Sequence, residues 1–160
     1  MSPTDSGEVV EINVSPEQAV LPGPVERVRA VAGRGLAGEY HFFAGPGVQP
    51  ERDQELTLIA TEALEALSAE HGIELTAAES RRNIATRGID LNGLEGERFR
   101  VGGVECQGIE LCEPCRNLER LTEPGVLRGL VHRGGLRAAI LTDGEIAVRD
   151  EVAPLSPRAT

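Results

Sequence analysis

The residues best suited to chemistry lie in the run Cys112, Glu113, Pro114, Cys115 and Arg116, where two thiols stand three positions apart around a proline. Three chemistries fit that spacing. Half of a tetrahedral zinc site has it and needs two further ligands. Cys106, His41, His71 and His132 are on hand for that, but none forms a second paired spacing. A dithiol redox pair also has it and belongs after a βαβ unit, a pattern absent from the predicted elements. The third is one reactive thiol at a helix start. Pro114 suits a first helical position because its missing N–H would be unpaired there anyway, which places Cys115 one residue into the helix. Unpaired backbone N–H groups and the helix dipole stabilise a thiolate there and depress its pKa. Arg116 adjoins it, and Cys112 becomes a neighbouring or resolving thiol. Against all three stands the inert reading, since free cysteines are among the most buried residue types. Cys106, inside the apolar run Val104–Leu111, fits that reading well.

Arginine clusters are the next signal. Ser80, Arg81, Arg82 and Asn83 combine a hydroxyl, two guanidinium forks and an amide in four positions. Such forks match phosphate or carboxylate oxygens bidentately. Val131–Gly135 offers His132 and Arg133 before two glycines that permit close backbone approach, and Arg34 lies between Gly33 and Gly35. For any single arginine, a solvated surface charge is the plainer reading. His41 and His132 could carry protons near neutrality, or be ordinary structural histidines. The Gly33–Gly38 loop lacks the dinucleotide fingerprint and the P-loop lysine, so both nucleotide motifs are set aside.

Composition narrows the classes. The 160 residues and 17.0 kDa are those of one domain with one core. Domain limits are expected at residues 7–152, between a disordered tail over 1–6 and a flexible tail over 153–160. The net charge is −10, which repels nucleic acid and anionic membranes. Residues 76–137 are the exception, with ten arginines against nine acidic side chains, and there an anionic small molecule is least repelled. All sixteen basic residues are arginine, so pyridoxal phosphate is not expected to bind covalently for want of a lysine. Aromatic residues are too few for stacking on single-stranded nucleic acid. No apolar run reaches a membrane span, no leader pattern opens the chain, and the cytoplasm is the expected compartment. Three cysteines, an odd number, speak against a fully paired disulfide framework.

The elements that must position these residues are mostly short strands. Apolar residues predict strands over Val9–Val14, Val25–Val31, Leu56–Ile59, Gly88–Leu91, Arg98–Val101, Val104–Leu111, Leu136–Leu141 and Glu145–Val148. Gly102 and Gly103 predict a tight turn, and Asp143 with Gly144 a hairpin between the last two strands. One helix is predicted from Thr61, as N-cap, to His71, with Gly72 ending it. A turn or short helix over Ala77–Asn83, a helix over Pro114–Leu121 and a helical turn over Pro124–Leu130 complete the set. Strands and helices do not alternate regularly, which argues against a doubly wound sheet. The expected fold is mainly β, a compact barrel with short inserted helices, because closure removes edge strands.

An ordered series of segments carries a resemblance over much of residues 7–152. It comprises Gly35–His41, Arg82–Ile84, Thr86–Leu91, Leu94–Phe99, Glu110–Cys115, His132–Gly135 and Asp143–Ile146. In these the chain resembles the MOSC domain family, the C-terminal module of molybdenum cofactor sulfurases, which also occurs alone in bacteria. The resemblance implies a barrel-like MOSC fold and one characteristic cysteine after a strand, matched by Cys115. That cysteine would carry sulfur as a persulfide or face the metal of a molybdenum–pterin cofactor (molybdopterin). Arg82 and Asn83, with Ser80, match polar positions beside that site, Arg82 suiting the pterin phosphate. His41 matches a polar loop position, and Arg34, Arg116, His132 and Arg133 are further cofactor-side candidates. A departure is that Glu79 stands apart from Asn83, where many members join an acidic residue to an asparagine. Cys112 is a second thiol that many members lack.

The implied partners are the molybdenum–pterin cofactor or a small-molecule substrate, with a sulfur donor or an electron-transfer protein. Molybdenum-dependent reduction of N-hydroxylated compounds would need such an electron donor. Two rivals remain open: a non-catalytic module binding a phosphorylated small molecule or a partner protein, and a small structural-zinc module.

Overall fold

The computed structural model describes residues 6–14, 23–38, 55–80, 82–111 and 135–155. Strand β1 (Gly7–Val14) is followed by β2 (Gly23–Val25), β3 (Arg27–Val31), β4 (Gly35–Leu36) and β5 (Leu56–Ala60). Helix α1 (Thr61–His71) follows β5 without a break and leads to β6 (Ile84–Arg87). After a 3-10 helix over Leu91–Leu94 come β7 (Arg98–Val101), β8 (Val104–Leu111), β9 (Leu136–Ile140), β10 (Gly144–Ala147) and β11 (Glu151–Pro154).

Eight strands form one sheet in the order β11-β7-β8-β9-β5-β6-β1-β2, and β11 pairs with β1 as well. Gly7 opposes Val152 at that seam. The sheet therefore closes on itself, which leaves β2 appended to β1 and gives the expected mainly β barrel with a short inserted helix. β10, β3 and β4 make a separate three-stranded sheet.

Alternation of side chains across the barrel wall builds two cores. Leu56, Leu58 and Ile84 join Ile12, Phe99, Val101, Leu136 and Ile140 inside the barrel. Ile59 and Ala85 point outward and meet Leu64 and Leu67 of α1 with Ile73, Leu75 and Ala77. Strands β5 and β6 are thus buried on both faces, which explains their nearly unbroken apolar runs. Gly72 ends α1 in the left-handed conformation, with φ 67°, and its N–H bonds to the Ser68 carbonyl. Gly102, at φ 60°, makes the tight turn between β7 and β8.

Several expectations are corrected. Ala60, not Thr61, is the N-cap of α1, and no side chain caps it; the strand passes directly into the helix. Val25–Val31 is two strands in two sheets, since β2 pairs with β1 and β3 with β10 and β4. The strand foreseen at Gly88–Leu91 lies earlier, at Ile84–Arg87, because Gly88 takes φ 90° and ends it. β9 and β10 do not form a hairpin: β9 lies between β8 and β5, while β10 pairs with β3. Asp143 instead accepts the Ala32 N–H at 2.8 Å, tying this link to the end of β3. A βαβ unit is present after all, because β6 returns parallel to β5 through α1. The helices foreseen at Pro114–Leu121 and Pro124–Leu130 and the tail over 1–5 fall outside the described residues, as does the C-terminal tail beyond 155; β11 extends to Pro154, two residues into the tail expected from 153.

Candidate functional site

Register locates the candidates around the barrel. Leu111, the residue before Cys112, pairs with Leu136, which pairs with Leu58, which pairs with Ile84. β5, β6 and β8 run in the same direction, so their carboxyl ends share one mouth of the barrel. The segment 112–134 leaves from Leu111 and returns at Gly135, and it is therefore rooted at that mouth. Gly135 has φ 107°, and a Cβ there would collide with the Leu58 carbonyl oxygen. The close approach foreseen for this glycine is real, and what it admits is the neighbouring strand.

A cavity of about 450 Å³ opens at the same mouth. Among the described residues, Ala60, Ala63 and Ala66 line one side, Ile89 and Leu91 another, and Gly135 a third. Glu62, Gly88, Asp90 and Asn92 complete the lining. The Gly88 N–H donates to Glu62 Oε2 at 2.8 Å, and the Asn92 N–H to Asp90 Oδ1 at 3.1 Å. One turn further along α1, Glu65 pairs with Arg87. That hydrogen bond holds the Glu65 carboxyl below the usual glutamate range and raises the Arg87 pKa. Helix start and strand end are thus clamped on either side of the cavity wall.

Ser80, Arg82 and Asn83 lie just before β6. Ile84, the residue after Asn83, is level in register with Leu58, Leu136 and Leu111, so the start of β6 stands at the level where segment 112–134 leaves β8. Thr76 and Glu79 shape the turn before β6: the Thr76 N–H donates to Glu79 Oε1 and the Glu79 N–H to Thr76 Oγ1. This is a reciprocal capping box, a signal present in the sequence as Thr76 followed three positions on by Glu79. Ser80, buried, donates its hydroxyl to the Ala77 carbonyl at 2.5 Å and accepts the Arg82 N–H at 3.4 Å. Asn83, also buried, accepts from the Thr57 N–H and hydroxyl, and its amide nitrogen donates to the Asn13 carbonyl. Both side chains are thus engaged by the protein itself, Ser80 within its turn and Asn83 between β1 and β5. Beside Arg34, the Gly33 N–H donates to the carbonyl of Ile140, the last residue of β9.

Cys112, Cys115, Arg116, His132, Arg133 and His41 lie outside the described residues. Cys106 is buried inside the barrel, and desolvation, with the charges of Glu55 and Glu105, pushes its thiol up to about 12. Glu55 is itself buried and accepts the Ile140 N–H at 2.8 Å. Sequence reasoning passed over it, because a glutamate at the end of a polar stretch carries no mark of burial. Among the described residues, no three His, Cys, Asp or Glu side chains converge to hold a metal. No described helix is long and apolar enough to cross a membrane.

Known proteins frame this geometry. A family model described as the MOSC domain matches residues 37–153. The chain is similar in structure to the YUAD protein of Bacillus subtilis, with TM-score 0.77 and 16% identity over 92% of this chain and 94% of that one. It is also similar to YiiM of Geobacillus stearothermophilus, with TM-score 0.71 and 17% identity over 94% of this chain and 75% of that one. YiiM of Escherichia coli gives TM-score 0.67 and 16% identity over 96% and 72%. At these identities the likeness is one of fold. No curated protein sequence matches the chain.

Proposed function

The chain belongs to the MOSC domain family, and from that premise we propose that it is a molybdenum-cofactor-associated sulfur carrier with Cys115 as its reactive thiolate. The observation that carries this reading is the rooting of segment 112–134 at a cavity-bearing mouth of the barrel. Burial withdraws Cys106 from chemistry, which leaves Cys112 and Cys115 to supply it.

On this reading the Cys115 thiolate attacks the outer sulfur of a persulfide donor, either a protein cysteine persulfide or a small-molecule one. The donor's S–S bond breaks, sulfane sulfur passes to Cys115 and the donor leaves as a thiolate, with no net oxidation. Delivery to an acceptor thiolate repeats the exchange in reverse. Cys112 is the auxiliary thiol. Arg116 and Arg133, near the two ends of the segment, favour the anionic sulfur, and His41 and His132 are the proton carriers.

The described part of the cofactor site fits in charge but not in its neutral donors. Arg34 and Arg82 suit an anionic phosphate, whereas Ser80 and Asn83 are engaged within the protein and act by positioning the start of β6. A bound molybdenum cofactor would supply redox chemistry at its metal.

The test is production in a host that makes molybdopterin, followed by measurement of bound molybdenum and pterin and of persulfide on each cysteine by mass spectrometry. Wild type should carry sulfane sulfur on Cys115, and Cys115→Ser should carry none and lose sulfur transfer. Arg82→Ala should weaken phosphate-analogue binding about tenfold, for loss of a charge-assisted contact. Unimpaired transfer in the Cys115 variant would reject thiol chemistry, and unchanged affinity in the Arg82 variant would reject that placement of the anion.

A further inference from the structure

We propose that the cavity between α1 and the Gly88–Asn92 turn binds a small organic cation, one with a compact apolar body and a protonated nitrogen. Its volume of about 450 Å³ lies within the roughly 300–1,000 Å³ of small-molecule sites. The walls are apolar and short: Ala60, Ala63 and Ala66 along the helix, Ile89 and Leu91 opposite. Alanines at three consecutive facing positions of β5 and α1 keep the space open, where longer side chains would fill it.

Charge at the rim selects the ligand. Glu62 and Asp90 both line the opening, and each is oriented by one backbone N–H on one carboxylate oxygen. The second oxygen of each makes no hydrogen bond among the described residues. Arg87, the nearby cation, is bonded to Glu65 and also feels Glu62 and Glu8, so one positive charge stands among three negative ones. Asp90 has no cationic partner among the described residues. An ammonium entering over the apolar floor would meet two fixed carboxylates in charge-assisted hydrogen bonds, whereas an anion of the same shape would be repelled.

This deepens the sulfur-carrier reading by naming the class of molecule that would meet segment 112–134, and it rests on that reading only for the chemistry after binding. The experiment titrates the full chain with benzylammonium and with benzyl alcohol, a neutral molecule of nearly the same shape, by calorimetry and amide chemical shifts. Benzylammonium should bind about tenfold tighter or more, given two charge-assisted contacts, with shifts at Ala63, Ala66, Gly88 and Leu91. Glu62→Gln combined with Asp90→Asn keeps both backbone acceptors and removes both charges, so the cation preference should vanish. Ala66→Leu should weaken both probes, and the shift map in the wild type decides the location if that variant folds poorly. Cys115→Ser should leave all of this unchanged, which separates failure of the thiol reading from failure of this one. Equal affinity for the two probes, binding of neither, or a cation preference that survives the double charge removal would overturn the proposal.

Discussion

Cys106 and Asn83 show how much a residue's role depends on what surrounds it. Cys106 faces the barrel interior, and burial raises its thiol to about 12, so it is protonated throughout the neutral range. Because this pKa lies above that of the unfolded chain, the stability linked to it is present below the ordinary thiol range and is lost as pH rises through that range toward 12. Brief alkylation at neutral pH with peptide mass spectrometry should label Cys115 first and Cys106 last. Cys106 should become reactive only in denaturant, and labelling of it ahead of the others would refute its inertness. Asn83 carries the opposite lesson. Its amide resembles a ligand in sequence, yet in the fold it ties Thr57 of β5 to Asn13 of β1, a buried tie worth roughly 1–3 kcal/mol once a partner is left unsatisfied.

At the scale of elements, α1 and β6 are held together at their exposed edge by Glu65–Arg87 and by Glu62 accepting from Gly88. The Arg87 hydrogen bond depresses the Glu65 pKa. A depressed carboxyl contributes stability that is full above the ordinary glutamate range and is lost as pH falls through the lowered value. An NMR titration of the side chain should therefore show Glu65 ionised below the usual range, and Arg87→Ala should return it toward 4.5. Both groups are exposed, so the effect on melting should be small and should shrink further in salt. An unmoved Glu65 titration in that variant would show that the pair does not persist in solution.

For the whole molecule, closure is the decisive contact. β11 lies between β7 and β1, with Val152 opposite both Val101 and Gly7. Fully buried at that seam, Val152 should cost about 2 kcal/mol when cut to Ala, a fall in melting temperature of roughly 4–8 °C. Val152→Asp should cost more, because an unpaired charge would enter the core. Thermal denaturation checks both, and a Val152→Asp protein as stable as the wild type would mean that the seam does not close in solution. Loss of closure would also expose β1 and β7 as edges, which favours self-association.

The sequence by itself determined most of the longer strands, the helix with its glycine stop, the β7–β8 turn, the inert character of Cys106 and the family. These come from local rules, namely apolar periodicity, glycine conformation and the ordered series of short segments. It did not determine partners. Asp143 and Gly144 look like a hairpin turn, yet the strands they join part into different sheets, because pairing is settled by which faces the closed barrel must bury. Alternation likewise missed that β5 and α1 form a parallel crossover to β6. At the site, register through β9 and β5 sets Leu111, which precedes Cys112, level with Ile84, which follows Asn83. Strand order and long-range register decide that, and no local pattern encodes either.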